Sequence, residues 1–107
     1  MDIAKNVYSI TESFPTEEKF GIISQIRRCG VSIPSNIAEG AARNSKKEFV
    51  NFLYISLGSL SELDTQLELS KRLGFIKEDI WKNLDDQIVK ADKVLSGLIR
   101  SQKKFIK

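Results

Sequence analysis

The sequence predicts an all-α protein, an antiparallel up-down-up-down four-helix bundle, on three observations. Apolar residues recur at spacings of three and four, strict alternation is nearly absent, and start and stop signals divide the chain into four segments. With 107 residues, 41% of them hydrophobic, residues 1–107 are read as one domain, large enough for a core without disulfide or metal.

The first segment carries Ile3, Val7, Ile10 and Phe14 in one stripe. It stops before Pro15, because the residue preceding a proline is driven out of the α region. Thr16, followed by Glu17 and Glu18, reads as an N-cap with acids in the first turn. Phe20, Ile23, Ile26, Gly30, Ile33 and Ile37 then share one side of a second helix, with Pro34 in its middle. Two separate helices or one helix kinked at the proline both fit. The stripe keeps phase from Ile33 to Ile37, which favours the kinked helix, with Ser32 and Ser35 available to satisfy released backbone groups. Gly30, Ser32, Ser35, Ala38, Gly40, Ala41 and Ala42 make this helix rich in small residues, suited to close approach of a neighbour.

Ser45 with Glu48 three residues on fits a capping box, and Gly74 supplies a stop for a long third helix. Its seam is Phe49, Leu53, Ser56, Leu60, Leu63, Leu67 and Ser70. Val50, Phe52, Tyr54, Ile55 and Leu57 make its first half apolar on most sides, a surplus that predicts either a contact between copies of the chain or deep core. Val50, Phe52, Tyr54 and Ile55 are the expected interface residues. The fourth helix begins near Glu78 with Trp81, Leu84, Ile88, Ala91, Leu95, Leu98, Gln102 and Phe105 as its seam, acids early and bases late.

Composition excludes much chemistry. There is no histidine, and the single cysteine, Cys29, reads as a small core residue. Without His there is no partner for a Ser or Cys nucleophile and no His-containing metal set, so no catalytic residue, metal or cofactor is expected. The N-terminus shows no secretory pattern and no stretch is apolar enough to span a bilayer, which predicts a cytoplasmic protein away from membranes. Charge is unevenly spread. Lys90, Lys93, Arg100, Lys103, Lys104 and Lys107 stand against Asp92 alone, and Arg27, Arg28, Arg43, Lys46 and Lys47 surround Glu39. Such basic zones suit phosphate or an acidic partner.

The run Ile33-Pro34-Ser35-Asn36-Ile37-Ala38-Glu39-Gly40, with Gln25-Ile26-Arg27-Arg28 before it and Ser45-Lys46-Lys47-Glu48-Phe49 and Gly58-Ser59-Leu60 after it, resembles the four-helix bundle proteins also called 23S rRNA intervening-sequence proteins. That family is similar to the accessory protein of diversity-generating retroelements, which forms a five-membered ring of bundles and binds nucleic acid. The resemblance implies a homo-oligomer, a pentamer, and places the family's basic positions on Arg27, Arg28, Arg43, Lys46 and Lys47. The chain departs from the family at Cys29-Gly30 and Ala41-Ala42, and begins after an N-terminal segment that usually carries a tryptophan.

Asn36, Glu39 and Arg43 share a helical face, with Ser35 in the neighbouring row. A structural reading of the cluster Ser35, Asn36 and Glu39, in which Glu39 pairs with a nearby arginine and Asn36 satisfies backbone at the Pro34 kink, is weighed against a phosphate site. Three functions follow. The first is a homo-oligomer binding RNA or DNA non-specifically through Arg27, Arg28, Arg43, Lys46, Lys47, Lys103 and Lys104, without aromatics placed for base stacking. The second is a protein-interaction scaffold with a protein partner. The third and weakest is a carboxylate hydrolase using Glu39 and Glu62.

Overall fold

A computed structural model describes residues 2–106, the side chains of residues 19 and 20 excepted. Phe20 of the second-helix stripe and Lys107 of the basic tail thus fall outside the described side chains. Four α-helices, α1 (Asp2–Thr11), α2 (Ser24–Ala41), α3 (Lys46–Arg72) and α4 (Glu78–Lys103), make up the described chain, which contains no strand. The shape is a rod of 49 × 24 × 18 Å. The 27 residues of α3 alone run about 40 Å, most of its length.

α1 ends at Thr11, and Phe14 is buried from the turn beyond it. The Thr11 hydroxyl, also buried, donates to the Val7 carbonyl at 2.7 Å and closes the last turn. The second helix does not start at Thr16. Thr16–Glu18 form a 3-10 turn and Lys19–Ile23 a π-type turn, broken at Gly21 by its φ of −102° and ψ of −111°. No side-chain hydrogen bond of Thr16 occurs among the described residues, so the expected N-cap is absent.

From Ser24 to Ala41, α2 is one helix with Pro34 inside it. Asn36 Nδ2 donates to the Ser32 carbonyl at 2.8 Å and to the Ser32 hydroxyl at 2.9 Å. That hydroxyl shares a 2.9 Å hydrogen bond with Ser59 of α3, and Ser56 Oγ donates to the Ile33 carbonyl. Polar groups around the proline are therefore tied to α3 rather than left bare. Of the small residues, Gly30 and Gly40 admit close neighbours. A Cβ on Gly30 would stand 2.7 Å from Val7 Cγ2, and one on Gly40 2.6 Å from Phe52 Cβ. Ser35, Ala38, Ala41 and Ala42 face outward instead.

α3 begins on Ser45, whose Oγ accepts from the Glu48 backbone N–H at 3.1 Å. It ends in a Schellman motif. Gly74 takes φ +84°, its N–H reaches the Lys71 carbonyl at 3.0 Å, and Phe75 N–H reaches the Ser70 carbonyl at 2.9 Å. The Phe75 ring then meets Phe14, centroids 5.4 Å apart. The seam from Leu53 through Ser70 is buried. Val50 is buried with it at 5% exposure, which corrects its place among interface residues: it lies one turn before Leu53, on the core side.

Arg28 meets Glu62, and near the other end Gly40 meets Phe49 and Phe52, so α2 and α3 run in opposite directions. Lys71 over Trp81 and Lys46 over Phe105 give the same relation for α3 and α4. On α4, Leu84, Ile88 and Leu95 are buried as the periodicity requires, and Ile99 is buried where Leu98 is only half covered. Phe105 is 64% exposed, against its place in the seam. α4 stops at Lys103, and Ile106 packs on the core in its stead.

The ten residues of α1 accompany only the first part of α4. Asn6 Nδ2 donates to Gln87 Oε1 at 2.9 Å, and Asp2 and Ile3 lie beside Lys90. Among the described residues nothing of α1 extends along α4 past that point. No helix of the described chain is long and apolar enough to cross a membrane.

Candidate nucleic-acid interface

The sequence-predicted basic residues separate into two places. Arg27 lies between α1 and α2, its Nε donating to Thr11 Oγ1 at 2.9 Å and its guanidinium 4.6 Å above the Tyr8 ring. Arg28 donates to Gln25 Oε1 at 2.8 Å and pairs with Glu62 of α3 at 3.4 Å. Both arginines are engaged in holding helices together midway along the bundle.

The rest gather at one end, where the turn from α2 to α3 meets the end of α4. Lys46 Nζ sits 4.3 Å above the Phe105 ring, and Lys103 Nζ donates to Tyr54 Oη at 3.2 Å. Lys47 and Lys104 follow directly along the chain. Arg43 shares this end but is neutralised: it pairs with Glu39 at 2.6 Å and Glu48 at 3.7 Å, its guanidinium 5.0 Å over Phe52. Lys46, Lys47, Lys103 and Lys104 form no ion pair among the described residues, whereas Arg72 and Lys82 each face a carboxylate one turn away. One helix N-terminus, that of α3, lies beside the C-termini of α2 and α4, so the macrodipoles give no net attraction for anions. The attraction comes from the lysine charges.

Of the cluster of Ser35, Asn36 and Glu39, two members act as the structural reading expects and Ser35 stands apart. Asn36 repairs backbone as expected, Glu39 turns to Arg43, and Ser35 faces outward without a hydrogen bond among the described residues. Glu39 and Glu62, the carboxylates of the hydrolase reading, are also kept apart. Glu62 meets Arg28 and accepts from the Cys29 thiol at 3.1 Å, about three turns along α2 from Glu39. Burial first, and then the Glu62 carboxylate, push that thiol up to about 11. Cys29 is thus the inert core residue the sequence suggested.

Two features escaped the sequence. Asp64 of α3 lies against Asp85 of α4, and burial, then Asp85 and Glu68, raise its carboxyl above the usual range. The described residues hold no group of three metal-ligating side chains there or elsewhere. The second is that aromatic rings do stand among the lysines, Phe105 and Tyr54 from α4's end and α3, against the expectation of none. Folding alone brings them together, since Tyr54 and Lys103 are far apart in the chain.

The profile of the family described as 23S rRNA-intervening sequence protein matches residues 1–97. The chain belongs to that family. A solved relative, described as a protein with unknown function from the S23 ribosomal protein family of Bacteroides thetaiotaomicron, is 28% identical and superposes with a TM-score of 0.85, covering 92% of this chain and 89% of that one. No curated protein matches. The family description and the relative's name no enzymatic reaction. Residues 98–107, which carry Lys103, Lys104 and Phe105, lie outside the matched part.

Proposed function

We propose that this member of the intervening-sequence protein family is a non-enzymatic, cytoplasmic homo-oligomer that binds nucleic acid through phosphate contacts at its basic end. The observation that supports it is the meeting of Lys46, Lys47, Lys103 and Lys104 without acidic partners among the described residues. Each copy contributes these charges, so a ring of five, as the family resemblance implies, multiplies the cations on one rim. Counterion release grows with the number of phosphates neutralised, and binding strengthens accordingly.

The oligomer contact narrows to the outer face of α3. Phe52 lies under Arg43 and Tyr54 meets Lys103, which leaves Ile55, 49% exposed, with Leu69 about four turns on along the same face. Mobility shift at about 50 and 200 mM salt, with light scattering on the same sample, tests both parts. The expected result is binding that weakens steeply with salt, lost in Lys46→Glu/Lys103→Glu and kept in Arg27→Gln. An intact oligomer that binds neither RNA nor DNA at low salt refutes the nucleic-acid reading.

Exposure of Ile55 and Leu69 equally favours a second reading, a scaffold whose protein partner covers this face. A partner that stays bound after nuclease treatment supports that alternative.

A further inference from the structure

The setting of Phe105 is unusual for a solvated helix end. Its backbone N–H bonds the Gln102 carbonyl at 3.1 Å and that of Ile106 bonds the Lys103 carbonyl at 3.1 Å, forming a short hook after α4. Ile106 packs inward on the core, and the neighbouring Phe105 ring is thereby held outward, 64% exposed. Tyr54 is 47% exposed, its hydroxyl held by Lys103. Two large rings therefore remain in water at a surface whose charge is positive, rather than adding to the core.

A duplex offers such a surface only its phosphates, because its bases are stacked on one another. It would leave both rings wet. An unpaired strand offers phosphates and free base faces together, and any base can stack on an aromatic ring. Lys46 over the Phe105 ring and Lys103 beside Tyr54 put a cation within reach of the phosphates flanking a base so stacked.

We infer that the basic end binds single-stranded nucleic acid, with Phe105 and Tyr54 stacking on bases and Lys46, Lys47, Lys103 and Lys104 holding the adjoining phosphates. The inference rests on the nucleic-acid reading above and specifies its ligand. Stacking adds affinity without choosing a sequence, so homopolymers are sufficient probes.

Fluorescence anisotropy on the full chain at low salt tests it, with four labelled or competing polyanions: oligo-dT, oligo-rU, a duplex of equal length (about a dozen units, the span of a small binding domain) and inorganic polyphosphate. Both single strands should bind about tenfold more tightly than the duplex. Phe105→Ala should remove most of that advantage and leave duplex and polyphosphate unchanged. Phe105→Leu should behave like Phe105→Ala, and Phe105→Trp should retain strand binding, since the ring and not its bulk is required. Because Phe105 lies outside the core, circular dichroism should be the same for all variants. Equal affinity for strand and duplex, or an equal loss for both in Phe105→Ala, overturns this inference and leaves the phosphate reading standing. Failure to bind any of the four overturns both.

Discussion

The hydroxyl of Ser56, fully buried on α3, donates a 2.9 Å hydrogen bond to the carbonyl of Ile33, the residue before Pro34 on α2. It joins two helices at the point where proline removes a backbone donor from the ladder. Ser56→Ala would strip that carbonyl of its α3 partner in a place water does not reach. The expected loss is about 1–3 kcal/mol, read from urea unfolding. An unchanged midpoint would mean the bond contributes nothing net.

Gly40 and Gly58 make an internal comparison. A Cβ at Gly40 would stand 2.6 Å from Phe52 Cβ and 3.3 Å from the Phe49 carbonyl oxygen, backbone that cannot swing away. Gly40→Ala should destabilise by about 1–3 kcal/mol as α2 and α3 are forced apart. At Gly58, exposed within α3, nothing lies within 4 Å. Gly58→Ala should stabilise by about 0.5–1 kcal/mol through helix propensity. Thermal melts of the two variants should move in opposite directions.

Cys29 is 1% exposed and its thiol is pushed up to about 11, so native protein should resist a thiol-specific disulfide reagent at mildly alkaline pH and react fully once denatured. The folded state holds this proton more tightly than the unfolded chain, whose thiol titrates near 9.0. Stability should therefore fall as pH rises above that value, and Cys29→Ser or Cys29→Ala should remove that share of the alkaline loss.

Asp64 gives a pH effect at the acid side. Burial, Asp85 and Glu68 raise its carboxyl above the ordinary 3.8, so the fold favours its protonated form. The contribution is unfavourable once pH exceeds the folded value and is relieved as pH falls back towards 3.8. Asp64→Asn should raise the melting temperature at neutral pH and have little effect in acid. A variant less stable at neutral pH would show that the charge is satisfied in the native state.

Local signals were legible wherever a short motif decides the backbone. Ser45, Gly74, the continuation through Pro34 and the buried seam from Leu53 to Ser70 follow from caps, phase and periodicity alone. Val50 and Phe105 were misplaced because periodicity tells how far around a helix a residue lies, but not how wide the buried stripe is or where the helix stops. At the basic end, Lys46 and Lys47 could be named from sequence, and so could Lys103 and Lys104. Their convergence, and the arrival of Tyr54 and Phe105 among them, depend on α3 and α4 lying side by side in opposite directions. Arg27 and Arg28 drop out because Thr11, Tyr8 and Glu62, which occupy them, come from other helices.

Over the described residues the rod has a thicker stem, where α1 joins the other three helices, and a thinner head. Where Asn6 meets Gln87, α1 shields the others, whereas past Lys90 the described residues give α2, α3 and α4 no such cover. Backbone amides in that head should exchange with deuterium sooner than those of the stem, through partial openings that leave the stem intact. Lys46, Lys47, Lys103, Lys104, Tyr54 and Phe105 are all mounted on this half. A polyanion captured there would slow exchange chiefly in the head, and so report its own docking site without any substitution.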